Sequence, residues 1–159
     1  MDQMATSTSI RERARQRLDE RLAALKPESR FTPPPKGWIR AIRDAIGMSG
    51  AQFAARLGVK PPSVVDLEKS EATGSIQINT LQRAAAALDC QLVYPIVPRT
   101  SLQDSVDTRA RKIALNALRR VAHTMALEDQ VVDDADMEAR VAAYIREHVK
   151  DKDLWAGRD

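Results

Sequence analysis

Residues that end and start helices follow one another closely between Gly47 and Pro61, so only short helices fit there. Gly47 can end one helix, because glycine accepts the left-handed conformation that is common at helix C-termini. Ser49 is a preferred N-cap for the next helix, and Gly58 can end that helix. Pro61 is suited to the first position of a further helix. The pattern predicts a series of short helices in the middle of the chain.

The apolar residues of this segment recur at helical spacing and predict four helices. A turn of about three residues that contains Gly58 separates the second helix from the third, which is the helix-turn-helix unit. Val65 is a further candidate for the inner face of the third helix. The expected inner residues are Trp38, Ile39, Ile42 and Ile46, then Phe53, Ala54 and Leu57, then Val64 and Leu67, and finally Leu81, Ala84, Ala85 and Leu88.

Composition favours an all-α protein, because alanine, leucine and arginine are abundant and aromatic residues make up only 4% of the chain. The single cysteine, Cys90, excludes an intrachain disulfide and a multi-cysteine metal site, and we expect it to be buried as a small apolar residue. No apolar run is long enough to span a membrane, and no signal peptide is visible. We therefore expect a cytoplasmic protein.

Charge is unevenly distributed along the chain. The net charge is +3, yet residues 128–159 carry five basic and ten acidic residues. A basic body with an acidic tail is typical of proteins that bind nucleic acid. The tail could contact a basic partner, mask the protein's own basic surface or form a solvated helix. Its Leu154-Trp155 pair could anchor a partner or fold back onto the core.

Helices are also expected on both sides of the central segment. Before it, Ser9 is the predicted N-cap of a helix with one apolar stripe among arginines, and a proline-rich linker leads on to Pro35. The stripe consists of Ile10, Ala14, Leu18, Leu22 and Leu25. The arginines could contact DNA phosphates or form a solvated face. After the central segment, we expect a helix capped by Ser105 or Asp107 and a last helix over about residues 134–150.

Several motifs in register resemble the five-helix DNA-binding domain of the Xre/Cro/phage-repressor family. They are Gly47-Met48-Ser49, Phe53-Ala54, Leu57-Gly58-Val59, Val64, Leu67-Glu68, Thr80-Leu81 and Ala87-Leu88. A wider set is similar to the family called mobile mystery protein A, namely Pro34-Pro35-Lys36-Gly37-Trp38-Ile39-Arg40, Leu67-Glu68-Lys69-Ser70-Glu71-Ala72 and Ala87-Leu88-Asp89-Cys90-Gln91-Leu92-Val93-Tyr94. That resemblance implies an antitoxin-like regulator paired with a Fic-domain protein, mobile mystery protein B.

The resemblance also implies which residues contact DNA. The helix start at Ser49 and Gly50, with Gln52 nearby, would face the DNA backbone, although the family often has glutamine where this chain has Gly50. The recognition helix would present Lys60, Pro61, Pro62, Ser63, Asp66 and Lys69 to the major groove. The two prolines either form a rigid helix start or contact thymine methyl groups.

A salt bridge between Arg43 and Glu68 is implied by the same family resemblance. It would attach the first helix of the domain to the recognition helix. Arg40 and Arg43 lie near the expected groove edge, so both could also reach phosphate.

Only the segment after Cys90 has the composition of a strand. Pro95 and Pro98 cannot donate ladder hydrogen bonds, so the strand must be short or lie at an edge. It could pair with its copy in a homodimer, or it could pack on its own domain as an extended segment. The expected dimerisation residues are Leu92, Val93, Tyr94, Ile96 and Val97.

These expectations divide the chain into four parts. They are an N-terminal helix with its linker over residues 1–35, an Xre-type DNA-binding domain over 36–90, a short strand over 91–99, and C-terminal helices with the acidic tail over 100–159. The predicted function is sequence-specific DNA binding by an autorepressor and antitoxin of a Fic-domain toxin, without catalytic residues, metal or cofactor. The alternatives are an inhibitor of the Fic partner in which DNA binding is secondary, and a stand-alone Xre-family regulator.

Overall fold

The computed structural model describes residues 2–124 and 134–157, with side chains over 8–121 and 134–157. The chain divides into two compact units. The central unit is Lys26–Ile96, and the terminal unit combines Met1–Leu25 with Val97–Asp159. Residues 128–133 and 158–159 of the acidic tail lie outside the described residues.

The secondary structure of the described residues is entirely helical, as composition predicts. They form α1 (Asp2–Ala23), a short 3-10 helix (Glu28–Phe31), α2 (Trp38–Ala45), α3 (Gly50–Leu57), α4 (Pro61–Ala72), α5 (Ile78–Ala87), α6 (Leu102–Thr124) and α7 (Asp134–His148). None of these helices, within the described ranges, has the length and apolar character needed to cross a membrane.

The central unit differs from the resemblance in two respects. It has four α-helices, α2 to α5, where the family resemblance implies five. The segment after α5 forms no strand in the described chain, so the predicted edge strand over residues 91–99 is not present. Pro95 and Pro98 lack the amide hydrogen that a helix or a ladder needs, and no other segment of the described residues forms a strand that could pair with this one.

The core of the central unit consists of side chains from all four helices. Phe53 is completely buried at its centre. The other buried residues are Ile39, Ala54, Val64, Ala84 and Leu88. Three apolar residues expected to face inward are exposed instead, namely Trp38, Ile46 and Val65. Trp38 is the first residue of α2, and Ile46 is the cap residue that follows its last residue.

The terminal unit has a thinner core of smaller side chains. Ala110 and Ala114 are buried on α6, Val141 is buried on α7, and Leu154 is buried in the turn that follows α7. Two helix starts differ from the sequence predictions. The first helix begins before Ser9, and α6 begins at Leu102, before both expected caps.

The end of α5 also corrects an expectation. Cys90 is exposed, although we expected a buried thiol. The preceding residue, Asp89, has a φ of 56°, a left-handed conformation that aspartate tolerates better than most residues. The chain turns there, and the Cys90 amide returns to the Ala85 carbonyl at 2.8 Å. The thiol is therefore carried to the surface.

Candidate nucleic-acid interface

The N-terminus of α3 has two amides available for an anion. The Ser49 hydroxyl accepts from the Gln52 amide at 3.2 Å, and the Gln52 side-chain oxygen accepts from the Ser49 amide at 2.8 Å. This capping box satisfies the third amide of the helix. The first two amides, of Gly50 and Ala51, have no acceptor among the described residues because they precede the first intrahelical acceptor. A phosphate placed at this end would meet both amides and the positive end of the helix dipole.

The N-terminus of α4 does not offer amides for an anion at its first positions. Pro61 and Pro62 occupy its first two positions and have no amide hydrogen, and the Ser63 amide donates to the Lys60 carbonyl at 3.0 Å. The helix therefore begins with an apolar tip that cannot bind an anion through its backbone. The two helices joined by the turn at Gly58 thus have different chemistry at their starts.

The outward face of α4 is a mixed apolar and polar stripe. Val65 is 64% exposed and lies four residues after Pro61 and four before Lys69. Sequence reasoning did not include Val65 in the DNA-binding set, although its helical spacing from Pro61 and Lys69 would have shown it. The exposed residues of this face, together with the preceding Lys60, are Pro61, Pro62, Ser63, Val65, Asp66 and Lys69.

Arg43 and Glu68 form an ion pair inside the central unit. Arg43 Nε donates to Glu68 Oε1 at 2.7 Å, and the two residues are 9% and 5% exposed. Arg43 also donates to the Met48 carbonyl at 2.8 Å. The hydrogen bond to Glu68 raises the pKa of the Arg43 guanidinium. Because it is buried and directed inward, Arg43 holds α2 to α4 and is not placed to reach a phosphate.

Arg40, one turn before Arg43, remains at the surface. Its side chain is 44% exposed, and its Nε lies 3.6 Å from an oxygen of Asp44, which is 57% exposed. Its Nη1 lies 4.0 Å from an oxygen of the buried Glu68. The exposed pair with Asp44 is weak in water, so the guanidinium can exchange Asp44 for a phosphate at little cost.

The α2 helix is capped by a residue that sequence reasoning did not single out. Glu71, near the end of α4, accepts from the Trp38 amide at 2.8 Å and from the Ile39 amide at 3.0 Å. Gly37, the N-cap, has a φ of 82°, and a Cβ there would lie 2.6 Å from the Glu71 carboxylate. Glu71 is 32 and 33 residues away from the amides that it caps, so no local pattern indicates the contact.

The five residues expected to dimerise lie on an irregular, largely exposed segment. Val93, Tyr94 and Ile96 are 79%, 64% and 86% exposed, whereas Leu92 and Val97 are half-buried. Within the described chain, the backbone amides of these five residues have no backbone acceptor. The segment thus combines exposed apolar side chains with amides that have no backbone acceptor among the described residues.

Over the ranges that the structure describes, no group of three or more histidine, cysteine, aspartate or glutamate residues is arranged to hold a metal ion.

Residues 39–94 match a protein-family model described as helix-turn-helix. The matched range includes nearly all of α2 and extends past α5 to Tyr94, and it supports a DNA-binding regulatory domain of the Xre type. A search of curated proteins and a search of solved structures found no match to the chain.

Proposed function

We propose that this protein is a sequence-specific DNA-binding transcriptional regulator that represses its own operon and acts as the antitoxin of a Fic-domain toxin. DNA binding is supported by two features that occur together in one helix-turn-helix unit. The start of α3 has two amides without an acceptor among the described residues, and α4 has an exposed outward face. The antitoxin part is supported only by the motifs that resemble mobile mystery protein A.

In this proposal, phosphate contacts position the protein on the duplex. The Gly50 and Ala51 amides bind one phosphate, and Lys60 and Lys69 contact the backbone on either side of the groove. Arg40 exchanges Asp44 for a further phosphate. These contacts are made to the DNA backbone and do not depend on the base sequence. Because they release counterions from the phosphates, the affinity for DNA should fall steeply as salt is added.

Base recognition depends on the α4 stripe. Pro61, Pro62 and Val65 have no groups that read a base edge by hydrogen bonding, but they can contact the methyl group of thymine. Ser63 can donate or accept, and Asp66 can accept from a cytosine amino group. The operator should therefore contain thymines opposite the start of α4.

We further propose that the protein binds DNA as a homodimer through residues 92–97. The exposed side chains and unpaired amides of this segment are suited to pairing with the same segment of a second copy. A two-fold axis would place two recognition helices on half-sites about one helical turn apart.

One variant pair tests the phosphate contact at α3. Gly50→Pro removes one free amide at a helix position that accepts proline, and the extended Ser49 before it is compatible with proline. Gly50→Ala keeps the amide, and its Cβ meets nothing within 4 Å. With DNA from upstream of the gene as the probe, gel-shift titrations should show about tenfold weaker binding for Gly50→Pro and little change for Gly50→Ala. Equal affinities for the two variants would contradict the amide contact, and no preference for the upstream DNA over a scrambled duplex would contradict the function.

A second experiment tests base reading. After footprinting locates the operator, uracil replaces each thymine in turn, which removes only a methyl group. A uracil substitution that weakens DNA binding by the wild-type protein but not by Val65→Ala would identify the thymine whose methyl group Val65 contacts. If no uracil substitution weakens binding, α4 does not read methyl groups.

A third experiment tests the dimer. Because Val93 and Ile96 are largely exposed, the double variant Val93→Asp/Ile96→Asp should fold normally. Charges at a symmetric segment pair are costly, so light scattering should show a monomer. A dimer of unchanged mass would exclude pairing through this segment.

A further inference from the structure

The first helix contacts the rest of the terminal unit through its polar side. Asp19 accepts from the Leu102 amide at 2.7 Å and from the Gln103 amide at 3.1 Å, at the start of α6. Arg15 Nε donates to the Gln103 side chain at 2.9 Å, and Arg11 donates to Asp151 at 2.6 Å. These three residues of α1 are spaced four apart, so they define one face of the helix.

The apolar stripe of α1 is consequently left at the surface over its first part. Ile10 is 56% exposed, Leu18 is 48% exposed, and Ala14 between them is also exposed. Leu22 and Leu25 are half-buried. An amphipathic helix ordinarily turns its apolar stripe toward its own core. Here the amides at the start of α6 and the carboxylate of Asp151 attract the polar residues of α1 instead.

A row of arginines borders this stripe on the side away from α6. Arg13, Arg17 and Arg21 each follow a stripe residue by three positions, so they lie beside it on the helix surface. All three are exposed. Arg13 donates to the Ser9 carbonyl of its own helix, and Arg17 and Arg21 have no acceptor among the described residues. We call the six residues Ile10, Ala14, Leu18, Arg13, Arg17 and Arg21 the outer face of α1.

We propose that the outer face of α1 binds an acidic amphipathic helix of a partner protein. Leucine-type side chains of the partner would cover Ile10, Ala14 and Leu18, and its flanking glutamates or aspartates would pair with the arginine row. The proposal concerns the terminal unit and does not depend on DNA binding by the central unit.

Charge disfavours the other occupants. A second copy of α1 packed antiparallel would oppose one arginine row with another. A second copy packed parallel would place the arginine row against the side of α1 that carries Arg11 and Arg15. That side is also basic, and both arginines already donate to other residues of the chain. A DNA backbone could pair with the arginines, but it has nothing apolar to cover Ile10 and Leu18.

The experiment uses two synthetic helices as probes for the full-length protein. Both have leucines along one face over about three heptads, flanked by glutamates in one peptide and by lysines in the other. Fluorescence anisotropy of the labelled peptides should show salt-sensitive binding of the glutamate peptide only. The double variant Ile10→Asp/Leu18→Asp and the double variant Arg17→Glu/Arg21→Glu should each weaken that binding about tenfold or more.

The control is Ile46→Asp in the central unit, because Ile46 is the same residue type as Ile10 and is also 56% exposed. It should leave peptide affinity unchanged. Equal binding of both peptides, or no effect of Ile10→Asp/Leu18→Asp, would overturn the proposal. A lower molar mass of Ile10→Asp/Leu18→Asp would also overturn it, because a second copy of the chain would then be the occupant. An equal loss of operator affinity by this variant would overturn it as well, because DNA would then be the occupant. A lower thermal unfolding midpoint for that variant than for Ile46→Asp would show that the face is packed within the chain.

Discussion

The central and terminal units each contain a helix that is capped by a carboxylate from another helix, but they depend on that cap to different degrees. In the central unit, Glu71 accepts from the first two amides of α2, and the N-cap is Gly37, which has no side chain to contribute. In the terminal unit, Asp19 accepts from the first two amides of α6. There Ser101, just before the helix, also accepts from the Asp104 amide at 2.9 Å. The α6 start has two caps, and the α2 start has one.

The two units also place their main interhelical ion pairs in different surroundings. Arg43 and Glu68 are buried between α2 and α4. Arg111 and Glu138, which join α6 to α7, form a bidentate pair at the surface. A buried charge that loses its partner cannot be solvated, whereas an exposed one gains water at once. Because of this difference in burial, we expect ion pairs of the same chemistry to contribute different amounts to the stability of the two units.

The largest expected effect comes from breaking the buried pair. Arg43→Met removes the hydrogen-bonded partner of the buried Glu68 carboxylate and leaves only the half-exposed Arg40 beside it, at 4.0 Å. The loss should cost about 3 kcal/mol of central-unit stability. Hydrogen exchange of core amides in α3 and α5 would measure this loss separately from the terminal unit. The double variant Arg43→Met/Glu68→Leu should recover most of the stability, because no unpaired charge remains.

The matched variant in the terminal unit is Arg111→Met, which should barely change exchange in α6. If Arg111→Met and Arg43→Met had equal effects, burial would not be what distinguishes the two pairs.

The next effect compares the two carboxylate caps. Glu71→Ala leaves two amides of α2 without an acceptor and should destabilise the central unit by about 1–2 kcal/mol. Asp19→Ala should cost less, about 0.5–1 kcal/mol, since Ser101 still caps α6. Denaturant titrations with exchange readouts for each unit would rank the two. A larger loss for Asp19→Ala would contradict this ranking and show that the contact of Asp19 between α1 and α6 outweighs the remaining cap from Ser101.

The smallest effect is a dependence of terminal-unit stability on pH. The hydrogen bond from Arg111 lowers the pKa of the Glu138 carboxyl below its ordinary value of 4.5. A lowered pKa means that the unfolded chain binds the proton more readily, so the pair stabilises the fold above about pH 4.5. This contribution is lost as pH falls through the folded-state pKa. Glu138→Gln should flatten the stability profile of α6 and α7 in that range, and an unchanged profile would contradict the assignment.

Part of the candidate site could be predicted because its signals are local. The capping box at the start of α3 involves residues three apart, and the prolines at the start of α4 act through their own backbone. The partners Arg43 and Glu68 lie 25 residues apart, and only the family resemblance could suggest that pair. The capping role of Glu71 and the inward direction of Arg43 required the packed structure, whereas the spacing of Val65 from Pro61 and Lys69 could have indicated its outward direction.

The sequence by itself determined the all-helical class, the approximate boundaries of the short central helices and most of the apolar residues that form their core, with Trp38, Ile46 and Val65 as the exceptions. Caps, turn residues and helical spacing act within a few residues, so the chain specifies them without a fold. Only the tertiary structure decided which side of α1 faces its neighbour, which carboxylates cap α2 and α6, and that Cys90 is exposed. Each of these features depends on contacts between residues that are distant in sequence, such as a helix-end amide that needs an acceptor and a carboxylate that another helix supplies. At α1, amides and an aspartate brought together by the fold contact the polar side, and the apolar stripe remains at the surface.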